Sequence, residues 1–276
     1  MDDADIPNSN LFKNILMATD GSEFGLGVER VCMDMAVQHQ SHLNVLRLLL
    51  SDADQDAADV NEAEALQHMQ RIADDCAGRG IPCTTFVKPS HDPSHGILAT
   101  AREVGADLIA VGRRGKRGLA RFMVGEATAK IIEKADCSVL VVPRLVTIWN
   151  NNVLLVVDPD QSDDDAAAMA YHLASRSDLP LTILVVDDDS KNDAALRETN
   201  QLANRLVAMA KIRGIAADGL VQTGKVDDVV LETARQRSVD LIVCEPRDRS
   251  MIDRLFNTNN IIHLVGQVHC PVIIVK

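Results

Sequence analysis

The chain contains an internal repeat, and this repeat limits its fold more than any other feature. Residues 106–142 align with residues 239–275 without a gap. The identical pairs include Asp107 with Asp240, Leu108 with Leu241, Ile109 with Ile242, Arg114 with Arg247, Arg121 with Arg254, Cys137 with Cys270, Val139 with Val272 and Val142 with Val275. A chain of 276 residues is long enough for two domains. The repeat therefore predicts two copies of one domain, 1–146 and 147–276, joined near residues 145–151.

Short apolar segments alternate with helical patterns in both halves. The segments are rich in Val, Ile and Leu without polar alternation, which is typical of strands buried on both faces of a parallel sheet. In the first half we predict strands at 13–19, 42–50, 82–88, 107–111 and 138–142, and helices ending near 40 and at 57–79, 93–104 and 125–134. In the second half we predict strands at 153–157, 181–186, 216–222, 240–244 and 272–275, with a helix starting near 162. Each half should form its own parallel α/β sheet with right-handed crossovers.

The last strand of each half is apolar and ends its domain, so each should lie at a sheet edge. Exposed apolar edges promote association and are usually covered. We therefore expect 139–142 and 272–275 to pair within the chain as a pseudo-dimer. We also expect two distinct sheets rather than one continuous sheet, and we expect two chains to associate as a homodimer.

Charge and cysteine usage exclude several classes of partner. The formal net charge is −12, which disfavours nucleic acids and anionic membranes. No apolar stretch reaches the ~18 residues of a membrane-spanning helix. The six cysteines are scattered without a CxxC pair, and residues 1–10 are acidic and polar, unlike a secretory leader. These features favour free thiols in a cytoplasmic protein.

Asp20 stands directly after the first predicted strand, in the sequence Asp20-Gly21-Ser22. Ligands of doubly wound sheets bind outside the carboxyl ends of the strands. A carboxylate at this place could accept hydrogen bonds from a ribose or an adenine amine. The alternative is that Asp20 merely ends the strand and begins a turn, and the motif by itself does not separate the two.

The segment 112–125 has the features of a phosphate site. Gly112 and Gly115 allow close approach of backbone to a phosphate, and Gly125 opens a helix whose N-terminus attracts anions. The loop between them carries a basic cluster in an otherwise acidic protein, formed by Arg113, Arg114, Lys116, Arg117 and Arg121. The alternative is a glycine loop with a solvated basic face.

Together these motifs resemble the universal stress protein family. The resemblance is carried by Asp20-Gly21-Ser22, by the spacing of Gly112, Gly115 and Gly125, and by the closing sequence 137–143, CSVLVVP. It covers residues 13–143 closely and 152–276 more loosely. It implies two tandem Rossmann-like domains, each with a five-stranded parallel sheet in the order 3-2-1-4-5, and dimers formed through the last strand. Some members of the family bind ATP.

The resemblance also implies a set of contact residues for ATP or another adenine nucleotide. Adenosine would lie near Ala18, Asp20, Leu48, Val111 and Gly112, and phosphates near Arg114, Gly115, Gly125, Glu126 and Ala127. Because aromatic residues make up 3% of the chain, a bound base would lie between aliphatic side chains. No metal is expected beyond nucleotide-associated Mg.

Glu126 departs from the pattern of the ATP-binding members, which carry Ser or Thr after the third glycine. Two like charges ~5 Å apart repel by roughly 3 kcal/mol at an effective dielectric constant of ~20. The basic loop would offset this repulsion. A carboxylate in a first helical turn also stabilises its own helix.

The second copy lacks the phosphate motif. Glu245, Asp248 and Thr258 stand where the three glycines stand, and Asn259 stands at the position of Glu126. Asp158 still matches Asp20. We interpret this half as having lost triphosphate binding, so that it is structural or holds another ligand.

Three further patterns have ordinary explanations. His91 and His95 have the spacing of metal ligands on a helix, but Pro93 lies between them, and surface histidines are the better interpretation. Cys137 and Cys270 at matching strand starts are interpreted as buried structural cysteines. The acidic run of Asp52, Asp54, Asp56 and Asp59 is interpreted as a solvated loop and helix start.

Three functions compete. The leading hypothesis is a cytoplasmic stress-response regulatory protein with an adenine nucleotide in the first domain. The second is an interaction module in which both pockets are degenerate. A slow ATPase ranks last, because the sequence offers no catalytic triad, metal cluster or Walker A loop. The protein is therefore predicted not to be an enzyme, and no protein partner can be named.

Overall fold

The computed structural model describes residues 11–50, 55–113, 124–159, 164–187, 193–246 and 258–276. Each half alternates strands and helices, as the sequence predicts. The first half contains β1 (Asn14–Ala18), α1 (Leu26–His39), β2 (His42–Leu50), α2 (Gln55–Gly78), β3 (Cys83–Ser90), α3 (Pro93–Val104), β4 (Leu108–Gly112), α4 (Glu126–Lys134) and β5 (Ser138–Val142). The second half contains β6 (Val153–Val157), α5 (Asp164–Arg176), β7 (Leu181–Asp187), α6 (Asp193–Ile212), β8 (Ala217–Thr223), α7 (Val226–Gln236), β9 (Leu241–Cys244), α8 (Thr258–Gln267) and β10 (Val272–Ile274).

Each half forms a five-stranded parallel sheet in the predicted order. The strand order is β3-β2-β1-β4-β5 in the first half and β8-β7-β6-β9-β10 in the second. The outermost strands β3 and β8 are partly exposed, whereas the inner strands β5, β6, β9 and β10 are buried along their whole length. This explains why the inner strands show no polar alternation.

The two halves join through their last strands, as predicted. β10 pairs antiparallel with β5, in the register Val272 with Val141, Ile273 with Leu140 and Ile274 with Val139. This pairing corrects the expectation of two distinct sheets, because it produces one ten-stranded sheet. The hydrogen bonds between β5 and β10 cover both strand edges and at the same time join the two five-stranded sheets into one.

Helices cover both faces of the sheet. One apolar cluster contains residues of α1, α2, α5 and α6, and the other contains residues of α3, α4, α7 and α8. Both clusters run through both halves. Trp149, in the connection between the halves, is buried in the first cluster. Within the described ranges, no helix is long and apolar enough to cross a membrane.

Candidate functional site

Three of the predicted adenosine contacts converge at the carboxyl edge of the first sheet. β1 lies between β2 and β4, and Ala18 pairs with Leu46 on one side and Val111 on the other. Leu48 extends two residues beyond Leu46 along the same strand. Ala18 and Leu48 are half-buried, whereas Val111 is buried. The topology therefore builds an aliphatic floor where the strand order reverses, the usual ligand position in doubly wound sheets.

One wall of this floor depends on a close helix approach. A Cβ at Gly96 of α3 would lie 2.9 Å from Leu48 Cδ1 and 2.9 Å from Ser90 Oγ. Any side chain at this position would have to displace α3 or the leucine. Gly96 thus brings α3 against the end of β2, a contact that the sequence patterns did not reveal.

Asp20 lies in a turn that is held by its own side chain. Its Oδ1 accepts hydrogen bonds from Ser22 N at 2.9 Å and from Ser22 Oγ at 2.6 Å. Gly21 between them has φ +68°, a left-handed conformation that favours glycine. Asp20 therefore begins a turn, and its predicted contact with a nucleotide stays a prediction.

A polar network that the sequence did not indicate lies next to this turn. Thr19 Oγ1 donates to Glu29 Oε1 at 2.5 Å, and His68 Nε2 lies 3.1 Å from the same carboxylate oxygen. Arg47 Nη1 lies 3.3 Å from His68 Nδ1. Glu29 and His68 are nearly buried and belong to α1 and α2. The contacting pairs are 10 to 39 positions apart along the chain, so no local sequence motif indicates them.

The predicted phosphate loop includes residues 114–123, which lie outside the described residues. The backbone on both sides of this segment is held by hydrogen bonds. Arg113 N donates to Val142 O, and Gly125 N donates to Arg113 O at 3.0 Å, which closes the base of the loop. Arg114 and Gly115 fall within 114–123, as do Lys116, Arg117 and Arg121, so their predicted roles stay predictions. Gly112 is the last residue of β4 rather than the residue after it, and its carbonyl accepts from Thr128 Oγ1 at 3.1 Å.

The N-terminus of α4 is capped by a residue without a side chain. Gly125 is the N-cap and makes no side-chain hydrogen bond to the first turn. Glu126 and Ala127 are the first two helical residues. A glycine cap leaves the first-turn N–H groups without a capping oxygen, which is the arrangement that anion sites at helix ends use.

Glu126 points away from the protein and is paired with Lys130. Its side chain is 84% exposed, and its Oε1 lies 2.9 Å from Lys130 Nζ. Lys130 Nζ also lies 3.5 Å from Asp92 Oδ2. The hydrogen bond to Glu126, and then the charge of Asp92, raise the pKa of Lys130. The described side chains at this helix end therefore carry two negative charges and one positive charge.

Arg113 corrects one part of the basic-cluster interpretation. Its Nη1 donates to Val268 O at 2.7 Å and to Gly266 O at 3.3 Å. These carbonyls lie at the C-terminal end of α8 in the other half, where a cation complements the helix dipole. The sequence grouped Arg113 with the phosphate loop, but its guanidinium links the two halves.

The second half places acidic groups at the corresponding edge. Asp158 follows β6 and is 3% exposed, and Glu245 follows β9 and is half-buried. Thr258 and Asn259 are the first residues of α8, and Asp248 lies outside the described residues. Two carboxylates at this edge disfavour a polyphosphate, and the loss of triphosphate binding in this half stays a prediction.

A further couple distinguishes the second half from the first. Asp227 of α7 and His263 of α8 are in contact, with 2.5 Å between Oδ2 and Nδ1. At the equivalent positions of the first half, 133 residues earlier, stand Ser94 and Lys130. Lys130 instead pairs with Asp92 and Glu126, so the two halves pair their charges differently at this edge.

The family comparison decides the identity of the fold. The model of the universal stress protein family matches the chain twice, over residues 11–143 and 150–276. The chain belongs to the universal stress protein family. It carries two family domains in tandem, and the predicted boundary between 146 and 147 stays a prediction.

Several universal stress proteins match about half of the length of this chain. The protein YxiE of Bacillus subtilis is 26% identical over 149 residues, which is 48% of this chain and 99% of YxiE. The protein Sll1654 of Synechocystis is 31% identical over 137 residues, which is 48% of this chain and 87% of Sll1654.

Solved structures match the whole tandem arrangement. The crystal structure of a universal stress protein from Archaeoglobus fulgidus has a TM-score of 0.77 and 18% identity, and covers 98% of both chains. A putative universal stress protein from Pseudomonas aeruginosa has a TM-score of 0.71 and 18% identity, and covers 97% of this chain and 94% of that one. At this identity the likeness establishes the fold.

The remaining sequence candidates are two histidines and two cysteines. His95 is in the first turn of α3 and His91 precedes it, and both are exposed. Among the described residues, no three His, Cys, Asp or Glu side chains form a group that could hold a metal ion. Cys270 is buried and Cys137 is only half-buried, which corrects the expectation for Cys137. Burial raises the pKa of Cys137 to about 11 and that of Cys270 to about 12.

Proposed function

We propose that the first half of this universal stress protein binds an adenine nucleotide, and that the chain acts as a regulatory protein of the cytoplasmic stress response. The observation that carries the proposal is the convergence of Ala18, Leu48 and Val111 at one sheet edge, beside Asp20 and the glycine-capped start of α4. The floor suits a base and ribose, and the helix end suits a phosphate.

Electrostatics should make affinity depend on the number of phosphates. The exposed Glu126 repels each added phosphate charge, and Lys130 partly neutralises it. The helix dipole, and the basic residues that the sequence places in the loop, oppose this repulsion. Adenosine should therefore be least sensitive to position 126, and ATP most sensitive.

Dimerisation of two chains should use a surface other than the last strands. Inside this chain β5 and β10 already cover each other. Because the last strand of each half is occupied, we propose that two chains associate through another face, and a homodimer stays a prediction.

The alternative function is an interaction module without nucleotide. The observation that favours it is the acidic edge of the second half, where Asp158 follows β6 and Glu245 follows β9. In that case the first half would also have lost nucleotide binding, and Glu126 would be part of that loss.

The test compares Glu126→Ser with wild type by titration calorimetry, using adenosine, AMP and ATP. We expect the variant to bind ATP several-fold more tightly than wild type and adenosine about equally. Solvent exposure of Glu126 weakens its repulsion of the phosphates to less than about 1.4 kcal/mol, the free energy that corresponds to a tenfold change in affinity. The gain should shrink as salt rises. Glu133→Ser is the matched control, since it removes the same charge from the other end of α4.

Two results would favour the interaction module. One is equal ATP affinity in wild type and both variants. The other combines two observations. Mass spectrometry finds no adenine nucleotide among the small molecules released when freshly purified protein is denatured, and titration calorimetry with adenosine, AMP and ATP gives no binding heat.

A further inference from the structure

The polar network beside the turn after β1 runs in one direction. Arg47 can only donate hydrogen bonds, so His68 Nδ1 accepts at 3.3 Å, and His68 Nε2 carries the hydrogen that Glu29 Oε1 accepts at 3.1 Å. Thr19 Oγ1 donates to the same oxygen of Glu29 at 2.5 Å and accepts from Gly21 N at 3.2 Å. The chain of hydrogen bonds therefore reaches from β2 to the peptide bond that leads into Gly21.

The second half has apolar residues at the positions that match this network. β1 and β2 match β6 and β7 with a shift of 138 residues, so that Ile15 matches Val153, and α1 and α5 end with the same shift. α2 and α6 match with a shift of 134 residues, so that Cys76 matches Ala210, because the same hydrogen-bonded turn ends both helices. The residues that match Thr19, Glu29, Arg47 and His68 are, in this order, Val157, Ala167, Val185 and Leu202.

These four apolar side chains lie in or against one core cluster of the sheet. Burying polar groups costs more free energy than burying apolar groups of similar size, even when hydrogen bonds satisfy them. The second half shows that this fold accepts apolar side chains at the matching positions. The polar network of the first half therefore has a role that the fold itself does not require.

The turn after the strand differs between the halves in a related way. Gly21, which donates to Thr19, corresponds to Pro159, and proline has no N–H. The donor and the acceptor of this hydrogen bond are thus absent together in the second half. Asp20 is half-buried, whereas the matching Asp158 is only 3% exposed. The half that has the network keeps its carboxylate open to solvent, and the half that lacks it buries that carboxylate.

We propose that Thr19, Glu29 and His68 are positioning residues for nucleotide binding in the first half. They hold the turn so that the Asp20 carboxylate stays at the sheet edge, where it accepts hydrogen bonds from the hydroxyl groups or the amine of an adenosine. A preformed turn lowers the ordering cost of binding. This inference rests on the proposed nucleotide site: Asp20 contacts the ligand, and the network acts on binding through Asp20.

The test compares Thr19→Val and Thr19→Ser with wild type by titration calorimetry. The probe is adenosine, which carries no phosphate and is least sensitive to the charges at the helix end. Valine has nearly the shape of threonine but no hydroxyl, and it copies Val157 of the second half. We expect Thr19→Val to bind adenosine several-fold more weakly than wild type. Thr19→Ser keeps the hydroxyl and should bind adenosine about as tightly as wild type.

A double-mutant cycle with Asp20→Ala shows whether the network acts through Asp20. We expect Thr19→Val to cause little further loss of adenosine affinity once Asp20 is alanine, because the effects of coupled residues are not additive. A role in stability alone would lower the midpoint of urea denaturation and leave the adenosine affinity of the folded protein unchanged. That result, or the same loss of affinity with and without the Asp20 carboxylate, would overturn this inference while the nucleotide site stands. No binding of adenosine to wild type would overturn the nucleotide site and this inference together.

Hydrogen exchange of the wild-type amides, followed by NMR without nucleotide, tests the geometry of the turn itself. The Gly21 amide donates to Thr19 and should exchange far more slowly than in an unfolded chain. Exchange of this amide at the rate of an unfolded chain would overturn the inference, even if a variant folds poorly.

Discussion

At the scale of single residues, the candidate site depends on close approaches that glycine permits. Gly21 has φ +68°, and a Cβ there would lie 2.4 Å from Arg47 Nη1 and 3.1 Å from His68 Nδ1. The missing side chain lets the polar network of Glu29, His68 and Arg47 press against the turn that carries Asp20. The network was invisible in the sequence, whereas the glycine itself belongs to the Asp20-Gly21-Ser22 motif.

Gly21→Ala should destabilise the protein by more than backbone strain. A left-handed non-glycine residue costs about 1–2 kcal/mol, and displacement of Arg47 adds to it. Gly80→Ala is the matched control, because Gly80 has φ +69° and a Cβ added there would meet nothing within 4 Å. Urea denaturation should give a larger loss for Gly21→Ala than for Gly80→Ala. Equal losses would mean that the contact with Arg47 is unimportant.

At the scale of elements, the start of α3 connects the helix to the site. Asp92 is its N-cap, and Oδ1 accepts from Ser94 N at 2.8 Å and from His95 N at 3.2 Å. Pro93 occupies the first helical position, which suits its missing N–H. The other carboxylate oxygen faces Lys130 of α4. The Asp92 side chain thus caps α3 and also forms an ion pair with Lys130 of α4.

Asp92→Ala should lower the free energy of unfolding by about 1 kcal/mol, and Asp92→Asn by less, because asparagine also caps helices. The hydrogen bonds from Ser94 and His95 lower the pKa of Asp92 to about 2. A lowered pKa stabilises the fold above the unfolded value of ~4. The difference between wild type and Asp92→Ala should therefore be constant from pH 5 to 7 and decline below pH 4. Urea titrations at several pH values check this, and a difference that grows on acidification would contradict it.

At the scale of the whole molecule, the halves are joined by more than the β5–β10 pairing. His39 of α1 stacks on His172 of α5, with ring centroids 5.3 Å apart and 3.3 Å between Nδ1 and Nε2. Arg176 donates to Gln38 O at 2.8 Å, and Phe12 packs its ring edge-to-face against His39. Burial, followed by the charges of His172 and Arg176, lowers the pKa of His39 to about 4. Burial and Arg176 also lower the pKa of His172.

This histidine pair predicts acid sensitivity of the domain contact. Unfolded chains bind protons at histidine below pH ~6.5, whereas the folded His39 stays neutral until about pH 4. Stability from this residue is thus complete above pH ~6.5 and is lost as the pH falls towards 4, up to about 3 kcal/mol.

The variant His39→Phe should lose less stability than wild type between pH 7 and 4.5, and His172→Gln should behave in the same direction. His91→Gln is the control, because His91 is exposed. Urea denaturation across this pH range provides the measurement. Identical pH slopes for wild type and His39→Phe would show that the pair is not the cause.

The sequence by itself determined the order of elements and the sheet edge at which the candidate site lies. β2, α3, β5 and β6 begin and end at the predicted residues, because apolar runs, Asp-Pro caps and glycines act within a few positions. Parallel topology then placed Ala18, Leu48 and Val111 together, since strand ends in a doubly wound sheet share one edge.

Only the tertiary structure decided the contacts between residues far apart in the chain. Arg113 was assigned to a phosphate loop, but it bonds to carbonyls more than 150 residues away. The network of Glu29 and His68 and the fusion of the two sheets also arise from packing. Local sequence patterns record helix and strand periodicity, whereas such partners are chosen by which surfaces meet when the whole chain folds.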